Sequence, residues 1–193
     1  MINLARWGFA LALLPLAACQ TTPGAPFAAT VPTPQTLPTV SAQDQNFVTQ
    51  AAESDQFEIQ SSQIALQRSR NRRTRAYAQQ MIDDHTQSSQ RLAQLAQANG
   101  IPLPTGLGPD QERALAAIQN TQRIFDSEYF RQQAYGHQNA VAAYRTEINS
   151  GYNNDLKQFA QQTLPTIQHH LDEAESSRSM PMGRTPARSS VSP

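Results

Sequence analysis

The chain has 193 residues, and its 15 lysines and arginines are balanced by 15 aspartates and glutamates, so the formal net charge is zero. This balance argues against a dedicated nucleic-acid-binding protein, which needs excess positive charge to neutralise phosphates. The single cysteine excludes a disulfide framework, and the 38% hydrophobic content suits one core of ordinary domain size. We therefore expect one folded domain with terminal extensions.

Residues 1–18 are typical of a secretory signal peptide. Arg6 precedes an apolar run over residues 7–16 that is too short to span a bilayer. The segment ends in the letters LAAC, which resemble the lipobox of bacterial lipoproteins; the resemblance implies cleavage before Cys19, acylation of Cys19 and attachment to a membrane through the lipid. Gln20, in place of an aspartate that retains such proteins in the inner membrane, favours a periplasm-facing, outer-membrane location. The alternative is an ordinary signal peptide with an incidental cysteine.

The segments on either side of the domain have the composition of unfolded chain. Residues 19–40 contain five prolines and almost no charge, which predicts an extended tether after the lipidated cysteine. Residues 176–193 are rich in serine, proline and arginine without periodicity, which predicts a disordered tail. The folded domain is therefore expected over residues 41–175.

Two amphipathic helices, A and B, open the domain. Ser41 and Asp44 have the spacing of a capping box variant, which predicts the start of helix A. Apolar and small residues recur at steps of three and four through helix A and again through helix B, which ends at Asn99-Gly100. Asn71 lies in the arginine-rich segment between the two helices and can adopt a left-handed conformation, so we expect a tight turn and an antiparallel pair.

Three further helices are predicted. Pro109 suits the first position of a short helix that extends to about residue 120. Helix C follows from about residue 121 and stops at Gly151, and helix D runs from Asn153 to about Glu175. No alternating apolar pattern indicates a strand. The expected fold class is all-α, an up-and-down four-helix bundle with a short extra helix before the third long helix.

Each long helix carries one ionisable residue within its apolar stripe. These residues are Glu58, His85, His137 and His170, and each lies in line with apolar or small neighbours at helical spacing. His169 lies off the stripe and is expected to face outward or sideways. If the A/B and C/D turns lie at the same end of the bundle, a rise of about 1.5 Å per residue places the four side chains within roughly 8 Å of one level.

The residue types in this set point to a metal site. One carboxylate and three imidazoles match the ligands of a mononuclear zinc, iron or copper ion, whereas a di-iron centre would need more carboxylates. Asp55 and Glu173, each one turn from a member of the set, are candidates for further oxygen ligands or for partners of the ligands. The alternative is a metal-free network in which buried Glu58 hydrogen-bonds the histidines. An enzymatic role is less favoured, since the low carboxylate count argues against an oxidoreductase.

Motifs occur in a consistent order along residues 41–175. They are Asp44 with Phe47 and Glu58 in helix A, AQQMIDDH ending at His85 in helix B, Phe125-Asp126 with Tyr129 and His137 in helix C, and LKQFAQQTLPTIQHHL in helix D. Together they resemble the DUF4142 family of bacterial secreted proteins, a ferritin-like four-helix bundle of unassigned function. Family members often have glycines around the glutamate of the first helix, whereas Gln56 and Ser62 stand here, which argues against a close backbone approach by helix A. The resemblance implies the fold and an envelope location, and neither it nor the residues identify a reaction or a protein partner.

Overall fold

The structure, a computed structural model, describes residues 40–179 and contains five helices there. They are α1 (Ala42–Arg68), α2 (Arg72–Ala98), α3 (Pro109–Asn120), α4 (Phe125–Ser150) and α5 (Asn154–Ser179). No strand occurs within this part of the chain, and the all-α prediction is confirmed. Within the same residues, no helix combines the length and apolarity that a membrane crossing requires. The predicted signal peptide, Cys19, the tether to residue 39 and the tail from residue 180 lie outside the described residues.

Two helix boundaries differ from the sequence prediction. α4 begins at Phe125 rather than near residue 121. α5 continues to Ser179, four residues into the segment predicted to be a disordered tail. Packing holds this last turn, because Ala174 and Ser177 are buried and the Ser177 hydroxyl donates to the Glu173 carbonyl at 2.7 Å. Serine composition alone did not indicate that the helix continues.

Polar caps set the starts of α1 and α2. The predicted capping box is confirmed, since Ser41 Oγ accepts from the Asp44 amide at 3.1 Å and Asp44 Oδ2 accepts from the Ser41 amide at 2.7 Å. The left-handed conformation considered for Asn71 is wrong: its φ is −75°, and its side chain caps α2 by accepting from the Arg73 amide at 2.9 Å. The turn is nevertheless tight, because only residues 69–71 separate the two helices.

The two short turns lie at opposite ends of the bundle. The α1/α2 turn adjoins the start of α4, where the Ser69 hydroxyl donates to the Asp126 carboxylate. The α4/α5 turn adjoins the start of α1, where the amides of Tyr152 and Asn153 donate to Asp44 at 2.8 and 3.0 Å. The arrangement with both turns at one end, which the sequence argument considered, is therefore wrong.

The two short turns lie at opposite ends because the connection between α2 and α4 is long. α2 ends beside the α4/α5 turn, where the Asn153 side chain donates to the Asn99 side chain at 2.7 Å. Residues 99–124 then carry the chain back along the bundle, and α3 within them packs against α1 and α4. α1 packs against α2 and α4, and α5 packs against α4 and α2, so every adjacent pair is antiparallel, as in a ferritin-like bundle with one long crossover.

Two apolar clusters fill the bundle on either side of a polar layer. Near the α4/α5 turn, the rings of Phe47 and Tyr144 pack edge to face with centroids 4.9 Å apart. Towards the α1/α2 turn, Tyr77 packs against Phe130 with centroids 5.2 Å apart. Between these clusters lie the four predicted ionisable side chains, Glu58, His85, His137 and His170, one from each long helix and all buried, together with buried Asp55 of α1.

Two buried carboxyl groups lie where α1 begins and α4 ends. Burial tends to raise the pKa of Asp44, but the amides of Asn153, Ser41 and Tyr152 outweigh it and lower that pKa to about 2. Burial and the adjacent Asp44 raise the pKa of Glu147 to about 7. Near neutral pH Asp44 is therefore ionised, while a large part of Glu147 is neutral, and the pair tolerates close contact for this reason.

This pair predicts a pH-dependent stability that Glu147→Gln removes. The pKa of Glu147 is raised above its ordinary value of 4.5. Its contribution to the free energy of unfolding is therefore fully present below about pH 4.5 and is lost as the pH rises through about 7. A glutamine stays uncharged, so we expect Glu147→Gln to be more stable than the wild type at pH 8 by on the order of 1–3 kcal/mol, with a much smaller difference at about pH 4.5. Denaturant unfolding at both pH values measures this. Glu112→Gln, at an exposed position of α3, is the control, and a Glu147→Gln difference that is the same at both pH values would contradict the assignment.

Candidate metal centre

Four helices deliver the four predicted side chains to one layer because each side chain lies well inside its helix. His85 is thirteen residues from either end of α2, and His137 is twelve residues from the start of α4 and thirteen from its end. Glu58 and His170 each lie sixteen residues after the start of α1 and α5, which begin at the same end. The four side chains therefore lie at one level even though the two short turns are at opposite ends of the bundle. His169 is exposed, in agreement with its position off the stripe.

The structure brings three of the four predicted residues into one cluster. His85, His137 and His170 are buried, and each offers a ring nitrogen within 4.8 Å of those offered by the other two. Their ring centroids are 5.4 to 5.6 Å apart. Imidazole nitrogens on zinc lie about 2.1 Å from the ion and hence about 3.4 Å from one another, so shifts of about 1 Å would bring the cluster to a binding geometry. We call these three residues the histidine triad.

Each histidine of the triad is held by an oxygen atom at one ring nitrogen. His85 Nδ1 lies 2.8 Å from Asp55 Oδ1, and His170 Nε2 lies 2.9 Å from Asp84 Oδ2. His137 Nδ1 lies 2.8 Å from the carbonyl of Gln133. A carbonyl can only accept, so His137 Nδ1 carries a proton, and the carboxylates favour the same state at the other two nitrogens.

The second nitrogen of every ring is buried without a partner. His85 Nε2, His137 Nε2 and His170 Nδ1 make no hydrogen bond within the described residues. When the rings are neutral, with the protons on the opposite nitrogens, these three atoms carry lone pairs. Buried polar atoms are normally paired, because an unmade hydrogen bond costs about 1–3 kcal/mol. Unpaired lone pairs on histidines oriented by oxygen acceptors are the arrangement found around protein-bound metal ions.

Glu58 lies beside the triad and is not a member of it. Its Oε1 is 3.5 Å from His137 Nδ1, the nitrogen that donates to the Gln133 carbonyl, and both carboxylate oxygens lack a hydrogen bond. Space for this carboxyl group comes from Gly136 on α4, since a Cβ there would be 2.9 Å from Glu58 Oε1. The glycine that allows a close approach to Glu58 thus belongs to α4 and not to the first helix.

Charge within the layer is set by burial and by Asp55. Burial lowers the pKa of His137 well below its usual range, and with repulsion from His85 it lowers that of His170 to about 4. Burial acts the same way on His85, but the hydrogen bond and charge of Asp55 outweigh it and raise the pKa of His85. Burial raises the pKa of Glu58 to about 8, although the positive charge of His85 opposes this. At neutral pH, His137 and His170 are therefore neutral, the form in which imidazole binds metals.

Sequence reasoning found some of the supporting residues and missed others. Asp55 was a candidate by its one-turn spacing from Glu58, and it indeed orients His85. Glu173, the other candidate, makes no hydrogen bond to the triad within the described residues. Asp84, which contacts His170, was missed. Its signal is its place next to His85 on α2, because one residue turns a helix by about 100° and directs Asp84 towards α5. The Gln133 carbonyl and Gly136 give no signal in the sequence, because neither stands out by residue type or spacing.

Comparison with known proteins identifies a family and a fold. A family described as "Domain of unknown function (DUF4142)" matches residues 29–176. A crystal structure of a DUF305 fragment from Deinococcus radiodurans has a TM-score of 0.64 and 17% sequence identity, and the match covers 72% of this chain and 97% of that one. At this identity the likeness shows the fold alone, and it agrees with the predicted bundle. No curated protein matches the chain.

The hydrogen bonds of the triad predict its tautomers. In metal-free protein we expect the neutral form of each imidazole to carry its proton on Nδ1 in His85 and His137 and on Nε2 in His170. Long-range proton–nitrogen NMR correlations distinguish the two forms, and exposed His169 is the internal reference. A proton on Nε2 of His137 would contradict the geometry, since that nitrogen would then have no acceptor.

Proposed function

The chain belongs to the DUF4142 family, and we propose that its buried layer binds one divalent transition-metal ion through His85, His137 and His170. The observation that supports the proposal most strongly is which ring nitrogens of the triad are hydrogen-bonded and which are not. Each ring is fixed by an oxygen acceptor at one nitrogen and keeps an unpartnered nitrogen at the other. Three protein ligands leave at least one coordination position open.

The donor set selects the class of ion. Imidazole nitrogen suits zinc, iron and copper, whereas calcium and magnesium prefer oxygen ligands. Glu58 is the nearest buried carboxyl group without a hydrogen bond, so it is the residue that can complete the coordination, as the fourth ligand expected from the sequence. Asp55 and Asp84 would increase the basicity of the two histidines that they hold.

A metal-free network is the competing function of the same layer, with a structural or interaction role for the protein. It is favoured by the 2.8 Å pair of Asp55 with His85 and by the 3.5 Å approach of Glu58 to His137. It leaves three ring nitrogens and both Glu58 oxygens unpaired, which a network selected for its own stability would avoid.

The proposed setting is the bacterial envelope. A lipid on Cys19 would attach the protein to the outer membrane facing the periplasm, with the bundle on a proline-rich tether. There a bound ion would serve metal handling or protection against metal or oxidative stress. The proposal includes no reaction.

Adjacent histidines of α5 provide a matched test. His170→Ala removes a triad ring, and we expect it to weaken Zn²⁺ binding by about 100-fold or more, whereas exposed His169→Ala should bind as the wild type does. Competition with a chelator of known affinity measures the affinity in protein without an affinity histidine tag.

Unfolding gives a second readout of the same binding. Zinc at about 100 times its dissociation constant for the wild type should stabilise the wild type and His169→Ala by about 2.7 kcal/mol, but His170→Ala by only about 0.4 kcal/mol or less. Wild-type protein whose stability and chelator competition show no zinc binding would overturn the proposal in favour of the metal-free network.

A further inference from the structure

A groove of about 670 Å³ runs between α1, α3 and α4. It lies on the side of the bundle where α3 packs against the two long helices. Glu53, Ser54 and Phe57 of α1 line one wall, Asp110 of α3 another, and Gly136 of α4 a third. Nothing in the proposed function uses this groove.

The charged side chains of the groove lining are carboxylates. Glu53 and Asp110 are its charged lining residues, and the others are amide, hydroxyl, aromatic or small side chains. Burial and the charge of Asp110 raise the pKa of Glu53. Asp110 is also paired with Arg113, which is not among the lining residues, so Glu53 is the carboxylate whose charge attracts cations into the groove.

The inner wall of the groove adjoins the polar layer. Phe57 and Gly136 line the groove, and the Phe57 ring and Glu58 Oε1 meet over the Cα of Gly136, at 3.5 and 2.9 Å from the position that a Cβ would take. Glu58 is fully buried, its two oxygens are unpartnered, and Oε1 is 3.5 Å from the ring of His137. Glu58 thus lies between the groove wall at Gly136 and the histidine triad.

We propose that this groove is the route by which a divalent cation reaches the triad, with Glu53 and Asp110 at its mouth and Glu58 as the transfer ligand beside Gly136. This inference rests on the proposed function. Glu53 draws the hydrated cation into the groove. Rotation of the Phe57 ring exposes Glu58, whose carboxylate replaces water on the cation and passes it to the histidines. The missing side chain of Gly136 leaves room for this movement.

The opposite side of the layer offers a second approach to the triad. Asp84 is partly exposed there, with 38% of its side chain accessible, and it contacts His170 directly. It holds His170 at Nε2, however, which carries the proton, whereas the lone pair is on Nδ1. A cation that arrives at Asp84 meets the proton-bearing nitrogen of His170, just as one at Glu58 meets the proton-bearing Nδ1 of His137, so the rates of binding have to distinguish the two sides.

Filling the groove tests the route by kinetics. Ser54 is one helical turn from Phe57 on the same face of α1, so Ser54→Trp places a large ring in the groove without altering a triad residue. The control is Gln90→Trp, at an exposed position of α2 outside the groove. The probe is Co²⁺, whose visible absorption changes when imidazole replaces water, followed by stopped flow for binding and by chelator for release.

We expect Ser54→Trp to slow both binding and release of Co²⁺ by about tenfold or more, with an affinity within about twofold of the wild type, because a blocked route changes both rates and not their ratio. Gln90→Trp should match the wild type. Glu53→Gln with Asp110→Asn should slow binding severalfold at low salt and weaken its salt dependence.

The outcomes separate this inference from the function on which it rests. Wild-type rates in Ser54→Trp, with the affinity intact, would overturn the route alone. Slowed binding in Asp84→Asn but not in Ser54→Trp would assign the route to the α2/α5 side instead. Absence of Co²⁺ binding by the wild type would overturn the proposed function and the route with it.

Discussion

The interaction on which the structure depends is the hydrogen bond that fixes one nitrogen of each buried imidazole. Three rings removed from water in one layer would be costly if both nitrogens of each were unpaired. Asp55, Asp84 and the Gln133 carbonyl satisfy one nitrogen per ring and set the direction of the other. Aromatic clusters on both sides shield the layer, which lies roughly 20 Å from the ends of α2 and α4, about thirteen residues at 1.5 Å each. The bundle thus holds three ring nitrogens in fixed positions without a hydrogen-bond partner among the described residues.

The helical period explains why the sequence locates this layer and why it cannot supply its details. Spacing at three and four residues assigns His85, His137 and His170 to inward faces, and their positions near the middle of long helices bring them to one level whichever way the turns point. Spacing does not determine side-chain torsions or which ring nitrogen faces inward. The same limit applies to Glu58, which shares the layer but points towards Gly136. The Asn71 turn and the last turn of α5 differed because local hydrogen bonds and packing outweighed residue preference.

The crossover between α2 and α4 links the fold to the site. It reverses the second helical pair, makes all neighbouring long helices antiparallel, and places α3 against α1 and α4. α3 thereby forms a wall of the acidic groove, although the sequence indicates only a short connecting helix. At the end of the bundle, Asp44 joins the start of α1 to the α4/α5 turn through backbone amides. The crossover and this end contact hold α1 and α4 in the register that sets Glu58 against Gly136.

The central claim is that the histidine triad holds a metal ion in the protein as the cell makes it. The most direct measurement is the metal content of protein purified from the bacterial envelope without chelator and without affinity histidines, repeated after chelator treatment. We expect about one zinc, iron or copper ion per chain, removed by chelator and regained when that ion is returned. Protein without stoichiometric metal that also fails to take up any of the three ions would contradict it and leave the triad as a structural network.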